Sequence, residues 1–449
     1  MTTRILSKEA ALATCMLVAI IGLAFPYHFP LFILVVIGWF GLLLLNGQLS
    51  FRLTVGMLPL LFSIGFFLLG IVLSFGKMYD IVTEDLINII TVLLIWPMAT
   101  GINREGLRRF LNLYLRWIFP LMVAIALVGL YKFYLLLNGQ FLSFISPETS
   151  LLKYPLGTAL MTDYNMFAFG QFSGLLAGIY GFGRSRTLFS RIWFVLGSII
   201  IVTAIVFAGS RRGWVVAGLA VFYAVVMMFR TLRRIVAKKR IARRLLVNVL
   251  VILGVLGGVA ALVIPRIPIE RFLTTAYALE MVAYRFGTLT GQSYERGGSF
   301  SSRTDLWVHA VGLVSDYSFI EWSIGSGFDY IAQYGSLASS GEGYPHNPII
   351  SALLYSGILG ALTVIVLIAV VFVRAWQSRK WVGTNQLLLL YLVSLLFLLP
   401  SGNSIFSIKT FPLQLLILLA VNTTSISQPS TVASSNRNDS LTSSSSQIS

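Results

Sequence analysis

Apolar residues fall into blocks near residues 9–25, 29–45, 53–75, 84–100, 113–137, 163–182, 192–208, 213–229, 246–264, 348–373, 384–399 and 404–420, separated by polar stretches. A helix rises ~1.5 Å per residue, so about 20 apolar residues cross the hydrocarbon core of a bilayer. The pattern predicts an all-α polytopic membrane protein with about twelve transmembrane helices. The second, eleventh and twelfth blocks are short for a full crossing. The chain divides accordingly into transmembrane helices 1–9 over residues 1–264, a polar segment over 265–347, transmembrane helices 10–12 over 348–422, and a disordered tail over 423–449. That tail is Ser, Thr, Asn and Gln, which cannot bury enough apolar surface to fold.

The long segment between helices 9 and 10 has helical pattern of its own. Ile269, Phe272, Leu273, Ala276, Leu279, Ala283 and Phe286 recur at helical spacing and predict an amphipathic helix along the membrane surface. A second helix is expected to begin at Ser302-Arg303-Thr304-Asp305, with Ser302 and Asp305 as a capping-box-like pair, and to run through Leu306, Trp307, Ala310, Val311 and Val314. The next membrane helix should start at Asn347-Pro348, because Asn is a good N-cap and Pro suits the first turn. His346 then stands just outside it, at the membrane surface. The unpaired N–H groups and positive dipole end there favour an anion and disfavour imidazolium, which leaves a neutral ring able to accept a proton. Asn-Pro is also an ordinary way to start a helix, and the sequence leaves both readings open.

Composition agrees with a membrane protein: 57% of residues are hydrophobic, 11% are charged and the mean hydropathy is +0.85. A formal charge of +17 would point to nucleic acid in a soluble chain, but in a membrane protein it is read loop by loop. With the N-terminus inside, Arg4 and Lys8, Arg52, the Arg104–Arg109 group, the Arg184–Arg191 group, the dense run Arg230–Arg244 and the cluster Arg374, Arg379 and Lys380 all share one face. The positive-inside rule then places both termini in the cytoplasm. The Arg230–Arg244 run reads as an orientation signal that also attracts anionic lipid headgroups. A single cysteine, Cys15, excludes an internal disulfide.

The opposite face is polar and sparsely basic, with a loop near 138–162, the turn Gly209-Ser210-Arg211-Arg212-Gly213, and the segment from Pro265 to Asn347. Arg211 and Arg212 stand against the positive-inside rule. Guanidinium groups bind phosphate bidentately and keep their charge, so the pair suits the diphosphate of a lipid carrier. Snorkelling to ordinary headgroups is the plain alternative. Arg303 is a second candidate, and Arg266, Arg271, Arg285 and Arg296 enrich the same segment. The three histidines are His28, His309 and His346, and the chain has no HExxH, cysteine pair or clustered carboxylates. A metal-independent mechanism without a cofactor is expected. No GxxxxGK[ST] loop occurs, and Gly325-Ser326-Gly327-Phe328 reads as a tight turn.

Four elements in order resemble the O-antigen ligase and O-antigen polymerase superfamily, over roughly residues 160–375. Pro345-His346-Asn347-Pro348 through Leu353, Gly357 and Gly360 resembles its HN…L…GxxG signature. Asp163-Tyr164-Asn165 resembles the Asn-containing element that opens a middle helix, and Ser210-Arg211-Arg212-Gly213 the SRG-type turn. Arg303 and Trp307, followed by Gly325-Ser326-Gly327, resemble the R…W…GxG element. One departure is that the acidic residue often found two places before the signature's first Gly is Tyr355 here.

The resemblance implies a GT-C-like glycosyltransferase of the bacterial inner membrane, with a periplasmic active site and undecaprenyl diphosphate as glycan carrier. In ligases the acceptor is the sugar core of lipid A; in polymerases it is another lipid-linked repeat unit. By that analogy Arg211 and Arg303 bind the diphosphate, with Arg212 beside them, and His346 activates or positions the acceptor hydroxyl. Asn165, Asn347 and Arg285 are supporting candidates. Membrane lipids are the other expected partner and nucleic acid is not expected. A lipid or polysaccharide transporter is the competing class, disfavoured because the unusual residues gather at one membrane surface and the two halves show no repeat.

Overall fold

The computed structural model describes residues 7–22, 28–75, 77, 79–137, 159, 164–185, 187–236, 301–334, 343–408 and 410–420. These residues form α-helices joined by turns, with no strand among them. The helices are α1 (Lys8–Ile21), α2 (His28–Leu45), α3 (Leu58–Leu73), α4 (Asp80–Ala99), α5 (Arg104–Leu137), α6 (Tyr164–Arg184), α7 (Leu188–Phe207) and α8 (Arg211–Val236). After the undescribed stretch follow α9 (Ser301–Ser315), α10 (Phe319–Ile324), α11 (Tyr330–Tyr334), α12 (Pro348–Val382), α13 (Gln386–Leu398) and α14 (Thr410–Ala420). Eleven of the apolar blocks therefore appear as helices α1–α8 and α12–α14. The block at 246–264, the amphipathic stretch 269–286, Arg266, Arg271, Arg285 and Arg296, and the tail lie outside the described residues.

Among the described residues five helices are long and apolar enough to cross a membrane: Val55–Leu73, Asp80–Ala99, Arg104–Leu135, Leu188–Phe207 and Pro348–Lys380. The described residues are those of an all-helical membrane protein. Its outer surface is apolar, as lipid contact requires: on α7, Phe189, Ile192, Leu196 and Ile199 are all exposed. The remaining apolar helices differ from full spans for physical reasons. α6 is buried almost continuously from Phe167 to Gly178 and packs on α5, α7, α8 and α13 inside the bundle. Gly174 and Gly178 allow the approach, since a Cβ on Gly178 would lie 2.6 Å from Phe119 and from Ser198. α13 has 13 residues between its two caps, too short for a hydrocarbon core of about 30 Å. α14 also starts at Thr410 rather than 404, because Ser404 and Ser407 hydroxyls accept the N–H groups of Phe406, Asn403 and Ser404 in a compact loop.

The second soluble-segment helix runs Ser301–Ser315, so Ser302 lies inside it rather than capping it, and Arg303 is in its first turn. α12 departs from a plain span as well. Its backbone breaks at Gly357 (φ 65°, ψ −167°). A break within a membrane helix frees carbonyls, each costing several kcal/mol in lipid unless it finds a donor. The Gly325-Ser326-Gly327 turn supplies the donors: Ser326 N–H donates to Leu354 O at 3.1 Å and Gly327 N–H to Tyr355 O at 3.3 Å. Phe328 then stacks on Tyr355 (ring centroids 4.6 Å) and packs on Phe67 (5.0 Å). Tyr355 fills an aromatic core position there, which a carboxylate would occupy without a counter-charge.

The contact between turn and break depends on missing side chains. A Cβ on Gly325 would fall onto the backbone of Tyr355 and Ser356, and one on Gly357 onto that of Ser323. Gly325→Ala and Gly357→Ala should each cost on the order of 3 kcal/mol, seen as a lower thermal unfolding midpoint in detergent. Gly312→Ala in α9, with nothing within 4 Å of its Cβ, should be neutral, and equal midpoints for all three variants would contradict the docked break.

Candidate active site at the Ser401 loop

The first part of the site is the start of α8. Gly209 (φ 72°) reverses the chain after α7, and buried Ser210 caps α8 by accepting the Gly213 N–H at 3.0 Å. The same hydroxyl donates to Asn165 Oδ1 at 2.9 Å, so the turn is fixed to the first residues of α6. A Cβ on Gly213 would lie 2.7 Å from that of Ala168 and 2.9 Å from Ile205 Cγ2, which is why this position is glycine. Trp214 Nε1 closes the turn by donating to Val206 O at 3.0 Å. Arg211 and Arg212 are thereby held, half-buried, in the first turn of α8.

The Arg212 guanidinium donates to Phe397 O (3.1 Å), Pro400 O (3.0 Å) and Ser401 Oγ (3.1 Å). These groups form the C-terminal end of α13, where carbonyls lack intrahelical partners and a cation is favoured by the dipole. Ser401 Oγ in turn donates to Phe397 O, closing the corner. Arg212 is therefore engaged with the protein's own carbonyls.

The second part is the segment before α12. Tyr344 donates its hydroxyl to Ser401 O at 3.2 Å, and its ring lies 4.1 Å from that of His346. His346 Nδ1 stands 3.5 Å from the same Ser401 carbonyl, the outer limit of a hydrogen bond. A proton on Nδ1 would point at that carbonyl and leave Nε2 as the accepting nitrogen. His346 has φ 54°, the left-handed region that non-glycine residues occupy at a cost of about 1–3 kcal/mol. As the sequence predicts, Asn347 caps α12, its Oδ1 accepting from Ile349 N (3.0 Å) and Ile350 N (3.3 Å), with Pro348 at the first position. The cap already satisfies the first-turn donors that made this helix end attractive for an anion.

α9 joins through Trp307, whose Nε1 donates to Pro345 O at 2.8 Å. Arg303 is four residues earlier in α9, on the same face by helical register; its side chain lies outside the described residues. His309 packs edge-on against Tyr334 (4.8 Å).

The Ser401 loop was not singled out by its sequence, yet Arg212, Tyr344 and His346 all meet on it. The loop is held from behind by α4. Buried Asn88 donates to Phe406 O at 2.8 Å, and Ser407 Oγ donates to the buried carboxylate of Asp85 at 3.4 Å. On the other side Tyr330 donates to Asn403 Oδ1 at 2.5 Å, and burial keeps that phenol's pKa well above its usual range, so it remains a donor. Two signals in the chain point to the loop: the polar run Pro400-Ser401-Gly402-Asn403-Ser404 between two short apolar blocks, and an Asp inside an apolar helix. Among the described residues no group of three or more His, Cys, Asp or Glu side chains comes together to hold a metal ion.

Residues 196–365 match the family model for O-antigen ligase. The matched segment belongs to the O-antigen ligase superfamily. No curated protein and no solved structure matches the chain. The matched segment holds the Ser210 turn, α9 with Arg303, the Gly325 turn, His346 and the Gly357 break, all of which the resemblance in sequence drew together. Asn165, Asp85 and Ser401, which position those parts, lie on either side of it.

Arg212→Gln loses charged hydrogen bonds to the α13 end and should destabilise the protein by roughly 3 kcal/mol in detergent unfolding. Asp85→Ala should cost roughly 2 kcal/mol by releasing the loop from α4. Wild-type stability in the Arg212 variant would contradict the role assigned to its bonds with the α13 end.

Proposed function

We propose that the protein is a glycosyltransferase of the O-antigen ligase type, which moves a glycan from undecaprenyl diphosphate to a hydroxyl of lipid A-core at the periplasmic face of the inner membrane. The observation that carries the reading is the meeting of the α8 turn and the His346 segment on Ser401. It brings a cationic turn for a leaving group and a ring nitrogen for a hydroxyl proton to one loop, which is what displacement from a lipid-linked diphosphate requires.

In this reading Arg211 and Arg303 hold the diphosphate and stabilise the negative charge that grows as it leaves. Arg212 keeps the turn and the Ser401 loop in register. Asn165 positions the turn through Ser210, and Asn347 fixes the helix start beside His346. The acceptor oxygen forms a bond to the anomeric carbon as the bond from that carbon to the phosphate oxygen breaks. The acceptor proton passes to His346 Nε2, and undecaprenyl diphosphate departs. Direct displacement inverts the anomeric centre. The chemistry uses fixed cations and a base.

A polymerase would use the same parts with a lipid-linked repeat unit as acceptor. Deleting the gene separates the two: loss of a ligase leaves long polymer on the lipid carrier, and loss of a polymerase leaves single units on the core. The membrane sides assigned above follow from the distribution of basic residues, with both termini cytoplasmic.

Purified protein with lipid-linked donor and acceptor tests the site. His346→Ala should lower transfer about 10²–10⁴-fold while donor binding persists. His346→Gly removes the same ring but relieves the left-handed backbone, so it should be equally inactive and about 1 kcal/mol more stable than the alanine variant. Arg211→Gln should weaken donor binding as well as transfer. Wild-type turnover in either histidine variant would take His346 out of the mechanism, and lipid movement without a new glycosidic bond would return the transporter reading.

A further inference from the structure

The helices that carry the candidate site have a second polar end. α6, α12 and α13 each have one end at the Ser401 corner, through Asn165, His346 and Phe397, and their other ends are Arg184, Val382 and Gln386. Between those far ends and Arg108 near the start of α5 lies a cavity of about 690 Å³. It is lined by Arg108, Arg184 and Arg379, from three different helices, and among the described residues its lining includes no carboxylate. The electrostatics there are one-sided.

Two of these arginines are held in place. Arg184 donates to Tyr180 Oη and to Asn112 Oδ1 (3.4 Å). Arg379 lies 3.2 Å over the Trp376 ring and donates Nε to Trp376 O at 3.0 Å. The start of α13 adds a helix dipole: α12 ends at left-handed Gly383, and α13 begins three residues later with an N-cap, Asn385, whose side chain makes no capping bond. Gln386, in the first turn, is 5% exposed, lines the cavity, and its Oε1 has no hydrogen-bond partner. A buried acceptor without a donor is costly, so a group bearing N–H or O–H belongs beside it.

We propose that this cavity binds the headgroup of an anionic glycerophospholipid, with the arginines and the α13 start on the phosphate and Gln386 accepting from a headgroup hydroxyl. The combination distinguishes a lipid from a bare anion. Inorganic phosphate meets the arginines, whereas a phosphate diester with a glycerol hydroxyl meets the arginines and the glutamine. The aliphatic wall of Ile179 and Val382, with Tyr223, suits the level of the bilayer at which glycerol and acyl chains begin. The position at the end opposite the Ser401 loop makes this site independent of the chemistry at His346. It would tie the α12–α13 hairpin to the lipid on that side.

The full chain is reconstituted in vesicles of phosphatidylcholine alone and of phosphatidylcholine with phosphatidylglycerol, and retained lipid is counted by native mass spectrometry after extraction. Wild type should retain phosphatidylglycerol selectively and gain thermal stability from it. The Arg184→Gln/Arg379→Gln protein should bind it about tenfold more weakly, with an unchanged midpoint in phosphatidylcholine. Gln386→Leu keeps every arginine and should also bind phosphatidylglycerol several-fold more weakly; it decides the matter if the double variant does not fold. Equal retention by wild type and the variants, or a wild type with no preference for phosphatidylglycerol, overturns the proposal. Reproduction of the stabilisation by inorganic phosphate in phosphatidylcholine vesicles overturns the lipid assignment.

Discussion

The hydrogen bonds of Arg212 to the end of α13 are the constraint from which the rest of the site follows. α13 stops at Leu398 inside the bundle, and its last carbonyls have no helical partner and little water. Arg212 satisfies Phe397 and Pro400, and by also binding Ser401 Oγ it fixes the orientation of that residue's carbonyl. Tyr344 and His346 then take their positions from that carbonyl. Moving the α8 turn therefore moves the surroundings of the histidine. One member of a charged pair that reads in sequence as a single ligand-binding unit, Arg212, fixes the loop through the protein's own carbonyls.

A second constraint comes from the membrane. Helices that cross lipid must satisfy their own backbone, and an interruption survives only where protein covers it. α12 breaks at Gly357, and the Gly325 turn covers the break with backbone N–H groups. The start of α12 carries His346 and Asn347, while the covering turn belongs to the segment that carries α9 and Trp307. The break thus joins the polar segment to the membrane helix on two levels: Trp307 to Pro345 at the top, and Ser326 to Leu354 two turns further down. Attachment on two levels holds the His346 segment in fixed register with α9 and the Gly325 turn.

Much of this was legible in the chain. Apolar blocks gave the helices, Asn347-Pro348 gave the start of α12, and Gly209 to Gly213 gave the tight turn before α8, because each rests on local rules of length, capping and backbone freedom. The attachment of Arg212 to the end of α13 was not legible, since adjacent arginines differ only in the neighbours their side chains reach. Ser401 and Asp85 stayed hidden for a related reason. A serine in a polar loop and a lone acid in an apolar helix acquire meaning only when residues more than three hundred positions apart, such as Asp85 and Ser407, come into contact. The short apolar block near 384 did carry a trace: a helix too short to span a bilayer leaves room for a buried polar loop at its end.

The claim that Ser401 couples the arginine turn to the histidine segment has a direct test in a double-mutant cycle between Arg212→Gln and Tyr344→Phe, read out as the rate of glycan transfer. The two side chains share Ser401 and neither substitution touches the histidine ring. The account predicts a coupling energy of about 1 kcal/mol or more, with the double variant little slower than Arg212→Gln alone. Effects that add to within ~0.5 kcal/mol would mean that the two parts act independently, and would contradict it.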